Sequence, residues 1–214
     1  MSDTAFVWAV GFLAQGFFSA RILVQWVRSE RARRVLSPSL FWALSLVGAW
    51  LFLFYGWLRH DFAIVFGQLI SYYIYIWNLR AKGEWQRLPG VWRWVLQLSP
   101  VVALVYVATD APRVVARFLG SADVPLWLLL FGMAGQLIFT LRFVYQWVCS
   151  SRLHTSVLPP GFWLFSLAGA TAIVSYGLIR HDIVLIVGQS FGLVAYSRNL
   201  YIGYKQSTQK LTTT

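Results

Sequence analysis

Cys149 is the one cysteine in the 214 residues, so an internal disulfide is impossible and no thiolate cluster for a metal can form. Acidic residues are scarce as well: Asp3, Glu30, Asp61, Glu84, Asp110, Asp123 and Asp182 are all there is against 18 Lys and Arg. Each of the seven lies at the end of a long apolar run or between two runs, and so do His60, His154 and His181. A proton relay through the apolar segments therefore lacks its usual carriers, and a paired-carboxylate site has no material. The glycine signature of a phosphate-binding P-loop is missing, as is any Ser/His/Asp set that the apolar runs could assemble. The expectation is a chain with no catalytic residues, no cofactor and no metal site.

What the chain has in abundance is apolar surface. Hydrophobic residues make up 58% and charged residues 12%, a balance that calls for lipid as solvent. Runs long enough to span a bilayer, about 20 residues each, occupy 5–27, 39–58, 62–79, 91–109, 125–148, 161–179 and 183–203. The first is too long and too rich in Arg and Gln for a signal peptide, so it is expected to be retained. The formal charge of +11 does not point to nucleic acid, because the basic residues punctuate the ends of the runs. Arg28, Arg31, Arg33 and Arg34 follow the first; Arg80, Lys82, Arg87 and Arg93 surround the gap between the third and fourth; Arg152, Lys205 and Lys210 follow later ones. The alternate connections carry only Arg59, Arg113, Arg117 and Arg180. Loop charge of this kind predicts a periplasmic N-terminus and a cytoplasmic C-terminus in a multi-pass protein of the bacterial inner membrane. The 109–123 connection, with Arg113, Arg117 and Phe118 at helical spacing, reads as an outer amphipathic helix.

A repeat organises the whole chain. An offset of 121 residues aligns 11–80 with 132–201 without a gap. Gly11, Gln15, Arg21, Gln25, Trp26 and Ser29 recur as Gly132, Gln136, Arg142, Gln146, Trp147 and Ser150. Phe41, Trp42, Ser45, Gly48, Tyr55 and Gly56 recur as Phe162, Trp163, Ser166, Gly169, Tyr176 and Gly177. The Arg59-His60-Asp61 turn recurs as Arg180-His181-Asp182, and Gly67, Gln68, Tyr75 and Asn78 recur as Gly188, Gln189, Tyr196 and Asn199. Three spans per unit would leave two fused units facing opposite ways, and the extra span at 91–109 restores a common orientation. The expected fold is thus all-α and membrane-integral: seven transmembrane helices in two parallel three-helix bundles joined by a linker helix. Its parts are a first repeat at 1–82, the linker helix and outer loop at 83–123, a second repeat at 124–206 and a cytoplasmic tail at 207–214.

The glycine-opened first helix, the Gln near its inner end, the short basic loop, the Tyr-Gly closing the second helix and the Asp opening the third resemble the SWEET and PQ-loop transporters. Their three-one-three architecture is similar too. The Gln-Trp with a following Ser, the Phe-Trp, the Arg-x-Asp and the Gly-Gln with a trailing Asn-Leu resemble more closely the lipid A biosynthesis N-terminal domain family, here in two tandem copies. The chain departs from the PQ motif at Val24 and Tyr145, where the proline stands, and from the SWEET third-helix asparagine at Gln68 and Gln189.

Residues three and four apart share a helix face, so Gly11, Ala14, Phe18, Arg21 and Gln25 form one stripe, copied as Gly132, Gly135, Phe139, Arg142 and Gln146. Ser45, Gly48, Phe52, Tyr55 and Arg59 line up on the second helix, and Asp61, Gln68, Tyr75 and Asn78 on the third. Lipid cannot satisfy amides or guanidinium groups, so these stripes should face the bundle interior. Intramembrane Gln, Ser and Asn often serve only as interhelical glue, the reading preferred for Gln15 and Gln136. Tyr55, Trp26, Trp42 and their copies are expected in the interfacial belt. Arg21 and Arg142 lie about 22 Å from the outer ends of their helices at 1.5 Å per residue. They either snorkel to the inner headgroups or bind a phosphate, whose geometry a guanidinium matches. An approximate two-fold relation would bring them toward each other, with Arg198 nearby.

The expected substrate-binding set is Arg21, Arg142 and Arg198 for the phosphate, with Gln25, Gln146, Ser45, Ser166, Tyr75, Tyr196, Asn78 and Asn199 along a headgroup route and Gln68 and Gln189 meeting a sugar further out. The family resemblance implies the lipid A or envelope pathway. The first expectation is a carrier, flippase-like, for a phosphate-linked glycolipid such as a polyprenyl-phosphate sugar. A SWEET-like transporter of a small soluble sugar and a non-catalytic membrane partner of a glycosyltransferase are the alternatives; 214 residues of spans leave no room for a glycosyltransferase domain.

Overall fold

A computed structural model describes residues 2–58, 62–109, 125–181 and 183–211. The Arg59-His60-Asp61 turn, Asp182 and, apart from Thr109, the expected outer helix at 109–123 lie outside the described residues. Among the described residues there are seven α-helices, one 3₁₀ turn and no strand. They are α1 (Ser2–Ala32), α2 (Ser39–Leu58), α3 (Phe62–Ala81), a 3₁₀ turn (Trp85–Arg87), α4 (Gly90–Ala108), α5 (Leu126–Arg152), α6 (Pro160–Ile179) and α7 (Ile183–Leu211). The offset of the repeat carries both ends of α2 onto those of α6, and the start of α3 onto that of α7. Among the described residues, three segments are long and apolar enough to cross a bilayer: Ala5–Ala32, Leu126–Arg152 and Pro160–Ile179. Large apolar side chains stand exposed along the helices, among them Phe12, Val91, Val102, Leu126 and Leu137, the outward face that lipid, not water, would solvate.

Helix ends are set by local chemistry. Pro160 occupies the first turn of α6, where its missing N–H costs nothing. α1 closes with the Arg34 amide on the Ser29 carbonyl and the Arg33 amide on the Glu30 carbonyl; α5 closes alike, Thr155 on Ser150 and His154 on Ser151. Such a closure needs a left-handed residue, and it is Arg33 (φ 51°) and His154 (φ 50°) here, with Gly83 (φ 73°) doing the same after α3.

The chain folds into two compact units, and α1 passes from one to the other after Arg21. The first comprises Met1–Arg21 and Ser39–Ala122, the second Ile22–Pro38 and Asp123–Thr214. In the first, α2 and α3 pack together and α4 rests on both. Gly48 lets α2 approach α1 so closely that a Cβ there would meet Phe18 at 3.0 Å. Pro100, buried in the middle of α4, has no N–H for the Leu96 carbonyl one turn back. The Tyr72 hydroxyl of α3 donates to that carbonyl at 2.8 Å, and Tyr73 to the Gln97 carbonyl at 2.9 Å. In the second unit α6 packs against α5 and α7. Gly169 brings α6 onto the backbone of α5, since a Cβ there would lie 2.7 Å from the Phe139 nitrogen.

Candidate functional site

The polar residues of the first unit converge on Arg21. Gly11, Ala14, Arg21 and Gln25 are buried and Phe18 half-buried, so the three-four spacing marks the inner face of α1. The Arg21 side chain is 6% exposed and turns to the neighbouring helices instead of running outward. Its Nη1 donates to Ser45 Oγ of α2 at 3.1 Å and to Tyr75 Oη of α3 at 3.0 Å. Ser45 Oγ in turn donates to the Phe41 carbonyl at 2.6 Å. The guanidinium carbon stands 4.7, 5.6 and 5.7 Å from the ring centres of Phe18, Phe41 and Tyr75, within reach of cation–π attraction, which strengthens away from water. Hydroxyls and ring faces thus form a cage around the cation.

The second unit builds a like cage around Arg142, 3% exposed. Its guanidinium carbon lies 3.3 Å from the Phe139 ring centre, 4.7 Å from Phe143, 5.7 Å from Phe162 and 5.8 Å from Tyr196. Ser166 Oγ donates to the Phe162 carbonyl at 2.6 Å, as its copy Ser45 does to Phe41. Behind each cage stands a tryptophan whose place near a helix end predicts the interfacial belt. Trp42 and Trp163 are 0% and 2% exposed; they pack edge-on against Phe41 and Phe162 and lie about 6 Å from the rings of Tyr75 and Tyr196. The belt assignment is corrected for both, and Tyr55 is also buried. A tryptophan near a helix end usually sits at the interface because its N–H wants water; here aromatic packing outweighs that preference.

Gln25 and Gln146 serve another purpose. Gln146 Nε2 donates to Ser150 Oγ at 2.7 Å and to the Val157 carbonyl at 2.9 Å, and the Val157 amide returns to Ser150 Oγ at 3.0 Å. Gln25 makes the same set with Ser29 and Leu36, and its Nε2 also donates to Asn199 Oδ1 at 2.8 Å. Each Gln-Ser pair therefore fastens a helix end to the loop that leaves it, and the four-residue spacing of the pair, recurring at the repeat offset, is its signal in the sequence. Asn78 and Asn199, wholly buried inside their helices, donate back to the Ile74 and Ala195 carbonyls one turn earlier. Gln68 and Gln189 are half-buried, while Gln15 and Gln136 are exposed. Arg198 is engaged elsewhere: it forms an exposed bidentate pair with Glu30, at 2.8 and 2.5 Å, and lies over the Tyr201 ring.

Apolar helices carrying two repeated, buried arginine cages define an all-helical membrane protein built on an internal repeat. The chain belongs to the lipid A biosynthesis N-terminal domain family, whose model matches residues 10–80 and again 131–201. It is similar to proteins named lipid-A-disaccharide synthase from Chlamydia pneumoniae (29% identical over 209 residues, 94% of this chain and 34% of the relative), Chlamydia muridarum (28% over 227 residues, 97% and 36%) and Chlamydia felis (26% over 210 residues, 94% and 34%). The chain spans about a third of the length of these curated relatives. No solved structure matches it.

Proposed function

We propose that the chain is a non-catalytic carrier in the bacterial inner membrane that moves a phosphate-linked glycolipid, such as a polyprenyl-phosphate sugar, in lipid A or envelope glycan modification. The observation that carries this reading is the cage around Arg21, repeated around Arg142. Hydroxyls and ring faces orient a guanidinium whose planar fork matches a phosphate in bidentate fashion. Every acidic residue lies outside the apolar runs, so an anionic ligand is the natural counter-charge at that depth. The membership of a lipid A biosynthesis family supports the pathway. In this reading all seven helices span, in the three-one-three order of SWEET and PQ-loop proteins, with repeats at 1–82 and 124–206, a linker at 83–123 and a tail at 207–214. The N-terminus is periplasmic and the C-terminus cytoplasmic. Ser45, Ser166, Tyr75 and Tyr196 serve the headgroup, Gln25, Gln146, Asn78 and Asn199 hold the helices that frame it, Gln68 and Gln189 meet the sugar, and Arg198 serves the approach of the anion.

Binding and flipping of a short-chain polyprenyl-phosphate sugar by the full chain in proteoliposomes test this reading. Replacing Arg21 and Arg142 together by Lys keeps the charge and removes the fork, and should weaken binding about tenfold. Replacing both by Gln should abolish it, with helical content and melting recorded alongside. Binding that survives the double Gln replacement in folded protein overturns the reading; flux of phosphate-free sugar instead would favour a soluble-sugar carrier.

A second reading is favoured by the relatives, which carry the name of a glycosyltransferase and are about three times as long: the chain serves as the membrane partner of such an enzyme. Co-purification with a glycosyltransferase, with no lipid movement by the chain alone, would select it.

A further inference from the structure

At the connection from α3 to α4, just beyond Tyr75 on the same helix, an open pocket of about 350 Å³ is walled by Arg80, Trp85, Gln86, Arg93, Trp94 and Gln97, with Gly90 at its rim. We propose that this pocket is a second anion site, which takes the phosphate of a small hydroxylated headgroup. Its size falls in the roughly 300–1,000 Å³ of small-molecule sites. Two guanidinium groups line the pocket, and the local charge balance is positive. Between residues 80 and 93 stand Arg80, Lys82, Arg87 and Arg93 against Glu84 alone, and Glu84 is engaged with Arg87 at 2.9 Å.

The two arginines are placed, not loose. Arg80 Nη2 donates to Gln97 Oε1 at 2.5 Å and its guanidinium lies 5.5 Å from the ring of Trp85, which is 4% exposed. Arg93 Nε is shielded from solvent and makes no hydrogen bond to any described residue, so a donor is held ready inside the wall. Gly90 opens the 19-residue α4, whose first turn presents the positive end of the helix dipole to the same rim. The exposed Trp94 indole, 66% accessible, and the Gln86 and Gln97 amides complete a wall suited to a ring and its hydroxyls. Neutral amides, indoles and two forks favour a phosphate ester over a bare carboxylate, since a phosphate offers more acceptor oxygens to the five donors of each guanidinium. The inference is independent of the carrier reading, because Arg21 and Arg142 take no part in it.

The phosphate has two sources, a membrane phospholipid or a soluble sugar phosphate. Native mass spectrometry of the full chain in neutral detergent, titrated with phosphatidylglycerol, with zwitterionic phosphatidylcholine and with glucose 1-phosphate, separates them. A retained adduct of either anionic probe, absent with phosphatidylcholine, supports the site; the probe retained names the source. Arg80→Gln with Arg93→Gln should weaken that adduct at least tenfold, and Arg80→Lys with Arg93→Lys about threefold. The same charge loss at Arg28 and Arg34 should leave it within twofold. In wild-type protein, rising NaCl should loosen the adduct, which gives a readout that needs no variant. No anionic adduct, or one indifferent to both the Gln pair and salt, overturns the inference.

Discussion

Arg142 and its copy Arg21 are two guanidinium groups in aromatic cages; Phe18, Phe41, Ser45 and Tyr75 recur as Phe139, Phe162, Ser166 and Tyr196, while Phe143 stands where the first repeat has Ile22. Single positions elsewhere show how local conformation was set without regard to the side chain. His154 ends α5 in the left-handed region at φ 50°, a conformation that costs a non-glycine residue about 1 kcal/mol. His154→Gly should therefore raise the thermal midpoint in detergent, as a gain of about 1 kcal/mol does. Gly83→Ala, at φ 73°, should lower it by a similar amount. The Arg21 stripe was legible in the sequence because three-four spacing leaves one face for the polar groups. The aromatic cage was not: Phe41 and Phe162 precede Trp42 and Trp163 in sequence, and nothing in that dipeptide says which ring meets the cation and which is buried behind it. Arg198 was grouped with the cage arginines by its place on a polar helix; its pairing with Glu30 joins residues 168 positions apart, a separation that no local pattern reports.

Helix α4 shows how an element survives an internal proline in an apolar setting. Pro100 leaves the Leu96 carbonyl without its helical donor, and Tyr72 supplies one from α3. Tyr72→Phe should cost about 1 kcal/mol, read by thermal or denaturant melting. The cost should fall by about half in a Pro100→Ala background, where the restored amide can bond Leu96. Helix contacts at the glycines give an opposed pair. Gly169→Ala would push a methyl into the α5 backbone and should destabilise by about 1–3 kcal/mol. Gly16→Ala, with nothing within 4 Å of the added methyl, should stabilise α1 by about 0.5–1 kcal/mol. Element boundaries were legible because apolar runs, Pro160 and the basic helix ends coincide with them. The tyrosine relief of Pro100 was not, since it depends on which helix lies beside α4.

For the whole molecule, the repeat visible in sequence is not the unit of packing: Ile22–Pro38 belongs by sequence to the first repeat and by packing to the second unit. The proposed orientation is tested in a Cys149→Ser background. A cysteine at Ser121 should react with an impermeant thiol reagent from the periplasmic side and one at Ala32 should not; the reverse pattern would overturn it. The sharing of α1 also imposes an order on biogenesis. Gln25 emerges early, yet its partner Asn199 lies 174 residues further on, roughly 9–35 s later at common synthesis rates. Through that interval the amide has only its local bonds to Ser29 and Leu36. A chain halted before Asn199 would carry a first helix whose Gln25 amide still lacks its distant partner.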